Sequence, residues 1–343
     1  MALSLWSNEQ EVRTDRPVEL PRVAAPSLEK LSVTVPAPEG VTAEDVLARF
    51  AELAREHAER RDRQPGEAVA LGDEVKVDTL GYSGGRLIPF SARAGAWLRV
   101  LPDPSLPTFY EALVGQPVGT STVIHLRLPD DYPVEALRGQ PARFIVDVVA
   151  AREVRLPELD GPGLLAALGR GTTVEETLRV LTAELLTERT EALTSRAEDL
   201  VLDALVARTA VQLPESLVDE ELRRQWEAHE GALLRRKNFS DEELEESLNG
   251  WREDAKTRAD VVRRLTVSLA LRAIVERDGL KLTQDWVLAL LQQTAEFGGV
   301  PLEEVADALR KDPRAALEVE RQAWHLLAVQ HVLDKAELRF EGA

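Results

Sequence analysis

The chain contains no cysteine, so disulfides, thiolate nucleophiles and cysteine-ligated metals are excluded, and no redox compartment can be read from it. It has a single Met, which rules out a Met-rich adaptable groove. Its histidines are His57, His125, His229, His325 and His331. Only His325 and His331 are close in sequence, and their spacing does not put them on one helix face, so neither a metal nor a cofactor is expected. There is no Gly-rich phosphate loop, nucleophile elbow or Ser/His/Asp arrangement, and the glycines from Gly81 to Gly85 read as a turn. Long hydrophobic runs are missing too. The most apolar helical stretch, Leu265 to Val275, is interrupted by Arg272 and falls short of the ~20 residues needed to span a bilayer. The first residues lack an apolar signal core and turn charged by Glu9, which makes the cytoplasm the expected location. Basic residues are outnumbered, 42 Lys and Arg against 60 Asp and Glu, for a net charge of −18. That balance argues against nucleic acid and against anionic membrane surfaces, since both require clustered positive charge.

What is present is a globular composition, 44% hydrophobic and 30% charged over 343 residues, enough for two or three domains. Pro17, Pro21, Pro26, Pro36 and Pro38 forbid a long helix at the start, while Leu31, Val33 and Val35 alternate as in one short strand. Thr42 and Asp45 form a capping pattern that opens a helix expected to run to about Arg61, with Val46, Phe50, Leu53 and His57 on one face. From Gly72 to Leu159 the chain reads mainly as strands. Val75 and Val77 alternate with polar residues, Trp97–Leu101 is a further strand, and Ile124, Leu126 and Leu128 and then Ala142, Phe144, Val146 and Val148 alternate in turn. A short helix is expected from Ser105 to Gly115, covering one face of the sheet.

Beyond Thr172 everything reads as helix. One uninterrupted helix is expected to about Ala207, roughly 50 Å long at 1.5 Å per residue. A second runs from Leu213 to about Arg236. Ser240 and Glu243 form a capping box for a third, which is expected to continue to Asp278. Thr283, Pro301 and Pro313 each open one more.

Several motifs carry a resemblance when their order is considered together. These are Gly72-Asp73-Glu74-Val75-Lys76-Val77-Asp78, Leu106-Pro107-Thr108-Phe109, Leu113-Val114-Gly115, Pro117-Val118-Gly119, Leu128-Pro129-Asp130-Asp131-Tyr132, Leu137-Arg138-Gly139 and Ala142-Arg143-Phe144. In this order they resemble the FKBP-type prolyl isomerase domain of bacterial trigger factors, and Leu156-Pro157-Glu158-Leu159 resembles its junction to the trigger factor C-terminal domain. Val211–Leu217 is similar to the turn between arm helices in that family.

The resemblance implies an α+β multi-domain chain. Residues 1–40 are expected to be an extended linker packing on the helical domain. Residues 41–155 would be an FKBP-like antiparallel sheet with a leading helix, and 156–343 an all-α, elongated arm domain of the trigger factor C-terminal (SurA-like) type. The ribosome-docking motif of the family, Gly-Phe-Arg-x-Gly-x-x-Pro, is not found, so direct ribosome docking is not expected. Either a monomer or a homodimer is compatible with the sequence.

The implied prolyl pocket comprises Leu106, Pro107, Phe109, Tyr132 and Phe144. Phe109 forms its floor, and Tyr132 can donate to a substrate carbonyl. Two family positions differ. Thr79 stands where an aromatic is usual, and Leu87-Ile88-Pro89-Phe90 stands where an aromatic is followed by an acid, so no carboxylate lies at that place. Prolyl isomerisation needs no nucleophile, only a pocket that holds the twisted imide better than the planar one. Weak or vestigial isomerase activity is therefore expected. Trp226, Leu233, Leu234, Trp251, Trp286, Trp324 and Leu327 are candidates for a client-binding cradle, although an apolar stripe at helical spacing is more often core.

The expected function is ATP-independent holding of unfolded, nascent or partly assembled polypeptides. Two alternatives stand beside it, a genuine prolyl isomerase whose arms recruit substrate and a dedicated, non-catalytic assembly factor for one partner.

Overall fold

The computed structural model describes residues 20–341, and its contacts divide the chain into two compact units. Pro17 and the other residues of the first nineteen positions lie outside the described residues.

One unit comprises residues 39–188 and 219–259. It opens with helix α1 (Ala43–Glu56), whose N-cap is the expected capping box: Asp45 N–H donates to Thr42 Oγ1, and the Asp45 carboxylate accepts from Thr42 N–H. The helix stops five residues short of the expected Arg61, because Glu59–Asp62 forms strand β2 and pairs antiparallel with the end of β7. Strands β3 (Glu74–Ser83), β4 (Arg86–Leu87), β5 (Arg93–Arg99), β6 (Ser121–Arg127) and β7 (Pro141–Arg155) complete a six-stranded antiparallel sheet. Its path is β2-β7-β3-β4, with β5 beside β3 and β6 beside β7.

The β3–β4 hairpin turns on Gly84 and Gly85 at φ +59° and +87°, where a Cβ would be strained. Alternation along β3 and β7 puts Val75, Val77, Val146 and Val148 on the core face with Ile88, Phe109, Leu113, Ile124 and Phe144. The helix expected from Ser105 to Gly115 is reduced to a 3₁₀ turn at Glu111–Leu113; Thr108, in the left-handed region at φ +70°, prevents a continuous helix through the segment.

In the same unit α1 packs on α2 (Pro162–Leu168) and on the start of α3 (Val174–Ala207), where Val46, Phe50, Leu53, Leu164, Leu165, Leu168 and Leu181 form a second core. The unit's remaining part is a helical hairpin made from the later residues of α4 (Glu215–Trp226), a π-helical turn (Glu227–Gly231), α5 (Ala232–Arg236) and α6 (Asp241–Glu253). The helix expected to continue unbroken to Asp278 is divided. Asp254 is extended at ψ 108°, and its carboxylate accepts from Thr257 N–H, restarting the chain as α7 (Ala255–Asp278).

The other unit comprises described residues 20–38, 189–218 and 260–341. Strand β1 (Ser32–Val35) pairs parallel with β8 (Glu337–Phe340), a partner that the sequence did not reveal. Leu31, Val201, Leu205, Leu271, Ile274, Val329 and Val332 form its core. Helices α8 (Gln284–Gly298), α9 (Leu302–Lys311) and α10 (Pro313–Lys335) begin where Thr283, Pro301 and Pro313 place them. Among the described residues no helix is long and apolar enough to cross a membrane.

Candidate peptide-binding site

The residues of the expected prolyl pocket come together on one side of the sheet. Phe144 on β7 lies opposite Gly81 on β3 and Ile124 on β6. Its ring meets the Phe109 ring edge-on, with centroids 5.3 Å apart, a favourable arrangement of the two quadrupoles. Both rings are buried, while Leu106 and Tyr132 are half-buried against the same cluster. Pro107 is exposed, at the rim rather than among the packed side chains. Burial pushes the Tyr132 phenol above its ordinary range, and the charge of Glu230 acts in the same direction against that of Arg93. Tyr132 is therefore a neutral donor at physiological pH.

Gly81 is required here for space. A Cβ would lie 2.6 Å from the Phe144 ring and 2.9 Å from Ser91 Cβ. Thr79 is buried and donates its hydroxyl to Ser91 O at 2.9 Å. Ser91 Oγ in turn donates to Ile88 O at 2.6 Å and accepts from Gly81 N–H at 3.0 Å. The segment from Ile88 to Ala92 is thus tied to β3 by side-chain hydroxyls.

The outer side of this segment is covered by the helical hairpin. Trp226, Leu233, Leu234 and Trp251 are all buried, packed with Ala92, Leu244 and Leu248 and against Leu80, Leu87, Phe90 and Phe239. They belong to the core, not to an exposed cradle, because their stripe meets the strand-rich part of the same unit. Glu230, only 1% exposed, enters this core from the π-helical turn. Its carboxylate accepts from Ala92 N–H at 2.9 Å and from Trp251 Nε1–H at 2.7 Å. Burial pushes its carboxyl up, opposed by those donors and by the Phe90 N–H.

Sequence reasoning passed over Glu230, since a single acid in so acidic a helical region carries no distinguishing signal. Beside the hairpin lies a cleft of about 480 Å³ whose lining includes Leu87, Ile88, Pro89, Val134, Leu137 and Gly250.

The helical unit shows the opposite pattern. Trp286, Trp324 and Leu327 are half-buried, and Trp324 packs against the unit's core. Helix α8 buries only Ala295, and α9 buries no residue. Phe297 is 97% exposed and Leu288 51% exposed, with Val300 also exposed between the two helices. Neither Phe297 nor Leu288 was singled out from sequence. No group of three or more His, Asp or Glu side chains among the described residues could hold a metal ion.

An antiparallel sheet with a covering turn, joined to long helices with apolar faces, defines an α+β chain with a helical arm. Residues 173–334 match the family described as "Bacterial trigger factor protein (TF) C-terminus". A trigger factor of Methylobacterium sp. (strain 4-46) is 30% identical over 298 residues, covering 86% of this chain and 59% of its own length. A trigger factor of Shouchella clausii (strain KSM-K16) is 26% identical over 310 residues, covering 88% and 69%. A solved structure described as "Promiscuous Substrate Recognition in Folding and Assembly Activities of the Trigger Factor Chaperone" has 18% identity and a TM-score of 0.32, covering 92% of this chain and 74% of that one. The chain is trigger factor-like over most of its length, and it spans 59% of the Methylobacterium relative.

Proposed function

We propose that the chain is an ATP-independent holding chaperone for unfolded, nascent or partly assembled polypeptides. The observation that carries this reading is Phe297, an apolar ring 97% exposed near the end of α8, with Val300 also exposed just beyond it. Apolar surface left in water is costly, at roughly 25 cal/mol per Å², and offsets that cost only when a partner covers it. The surrounding acidic surface keeps such helices soluble and favours basic clients. The names of the relatives are consistent with this reading.

The test is aggregation of a denatured client, followed by light scattering without ATP, with and without the chain. Suppression at near-stoichiometric amounts is expected. Unchanged scattering at a large excess would refute the proposal. A stable stoichiometric complex with one protein, and no effect on other clients, would point instead to a dedicated assembly factor.

A second reading, prolyl isomerisation by the sheet unit, is favoured by the edge-on contact of Phe109 with Phe144 beside Tyr132 and Leu106. Phe109 would bound the prolyl ring, and Tyr132 would donate to the twisted imide. Thr79 stands where the resemblance implies an aromatic, and Leu87-Ile88-Pro89-Phe90 has no carboxylate where it implies an acid, so the activity is expected to be weak.

A further inference from the structure

The hairpin joins the sheet of its own unit through groups that are otherwise expensive to bury. Glu230 accepts from the main-chain N–H of Ala92, and Lys237 Nζ lies 3.0 Å from Asp78 Oδ2 on β3. Arg86 on β4 donates to Glu246 on α6 at 3.1 Å. Between these polar contacts Phe90 meets Trp251 with ring centroids 4.2 Å apart, and Gly250 approaches so closely that an added Cβ would lie 3.2 Å from Pro89.

The hairpin is also tied to itself. Trp226 Nε1–H donates to Ser247 Oγ at 3.0 Å, and Trp251 Nε1–H donates to Glu230, so its helices are cross-linked independently of the sheet. Two features store free energy in the docked arrangement. Phe90 is held in the left-handed region at φ +67°, where a bulky residue is strained. A π-helical turn, rare in helices and frequent at functional sites, projects a carboxylate into an apolar core. Separation would hydrate Glu230, Lys237 and Asp78 and relax Phe90, which partly offsets the cost of exposing the tryptophans and leucines.

We propose that the hairpin is a latch over a second, concealed client-binding surface, which releases from the Leu87–Ala92 segment to present its apolar face, and that of the segment, to unfolded chains. The proposal rests on the holding function above. It assigns Trp226, Leu233, Leu234 and Trp251 to client binding in the released state, with Glu230 as the residue that holds the latch shut. The cleft lined by Leu87, Pro89, Val134 and Gly250 is where a client's apolar side chain would first enter. The cleft is lined from both sides of the seam, by Leu87 and Pro89 of the segment and by Glu246 and Gly250 of the hairpin, so a client side chain wedged there links binding to release.

Because the chain has no cysteine, the latch can be closed chemically. Arg86→Cys combined with Glu246→Cys places two thiols across the Arg86–Glu246 pair, to be joined by a short bismaleimide. The joined form should require about tenfold more protein than the same unjoined variant to suppress client aggregation. Separately, Glu230→Gln leaves one of two buried donors without its acceptor. It should speed hydrogen exchange at the Ala92 amide, and at amides of the hairpin, by about tenfold in one common step.

Equal holding by the joined and unjoined forms would overturn the proposal. If the parent chain held no client at all, the holding function would fall, and exchange alone would decide the latch. Exchange of the Ala92 amide below the global unfolding free energy, together with the hairpin amides, would sustain it. Exchange only through global unfolding would overturn it.

Discussion

The indole N–H of Trp251 donates to the Glu230 carboxylate at 2.7 Å, and the other oxygen of that carboxylate accepts from the main chain of Ala92 at 2.9 Å. One acid thus satisfies a donor on the hairpin and a donor on the strand-rich segment at once. A buried carboxyl whose desolvation outweighs its donors and the charge of Arg93 has a consequence for pH. Burial raises Glu230 above the usual 4.5. A carboxyl raised on folding contributes most to stability below its unfolded value, and that contribution is lost as pH rises through the folded value. Urea unfolding of the parent and of Glu230→Gln from pH 4 to pH 8, followed by tryptophan emission, should show the parent losing stability relative to the variant as pH increases. At low pH the variant should be the less stable by about 1–3 kcal/mol, from its unsatisfied donor.

Asp278 shows the opposite sign. Arg277, and after it His331, hold its carboxyl down at about 2 against the opposing effect of burial, and its side chain is 25% exposed. A depressed carboxyl contributes stability above its unfolded value of 3.8 and loses it as pH falls toward 2. After allowance for screening, Asp278→Asn should cost roughly 1 kcal/mol at pH 7 and nothing at pH 2, by thermal unfolding at each pH.

The face of α8 that carries Phe297 separates binding from stability. Phe297→Ser removes an apolar ring that is 97% exposed. Stability should stay within about 0.5 kcal/mol of the parent, while the amount of protein needed to suppress aggregation rises several-fold. A loss of stability equal to that of a core substitution would show that this face is packed in solution.

For the isomerase reading, Tyr132→Phe is the informative change. It removes the hydroxyl and leaves the half-buried ring. Phe109→Ala would empty a buried position at a cost of about 3–5 kcal/mol and confound folding with catalysis. A proline-limited refolding phase, lasting tens of seconds uncatalysed, should be accelerated weakly by the parent and less by Tyr132→Phe. Identical acceleration by both would remove Tyr132 from the reaction.

Gly81→Ala tests the packing of the same pocket. The added methyl meets the Phe144 ring and Ser91 on a strand paired on both sides. A loss of about 1–3 kcal/mol is expected by urea unfolding, with the Phe109–Phe144 contact displaced.

The helical starts and the sheet were legible in the sequence because their signals are local. Thr42, Ser240 and Thr283 cap helices through their own nearby backbone, and alternation along Ala142–Val148 marks one face of β7. The ring pair Phe109–Phe144 followed from motif order. The break at Asp254 was less visible, because an acid inside a helical run is ordinary until its carboxylate turns back to recap Thr257. Strand β1 was legible as an alternation, but β8 was not, since Glu337–Phe340 takes its strand character from parallel pairing with a segment some three hundred residues earlier.

The same division separates the tryptophans. By itself the sequence determined that Trp226, Trp251 and Trp286 each lie on the apolar stripe of a helix, along with the acidic excess and the absence of cysteine chemistry. Only the tertiary structure decided that Trp226 and Trp251 are dried by Phe90 and Ala92, while Trp286 is only half-buried and Phe297 on the same helix stays in water. The hydrophobic effect is non-directional. A stripe specifies that a face gains by leaving water, but which surface covers it depends on where the chain brings one within contact distance.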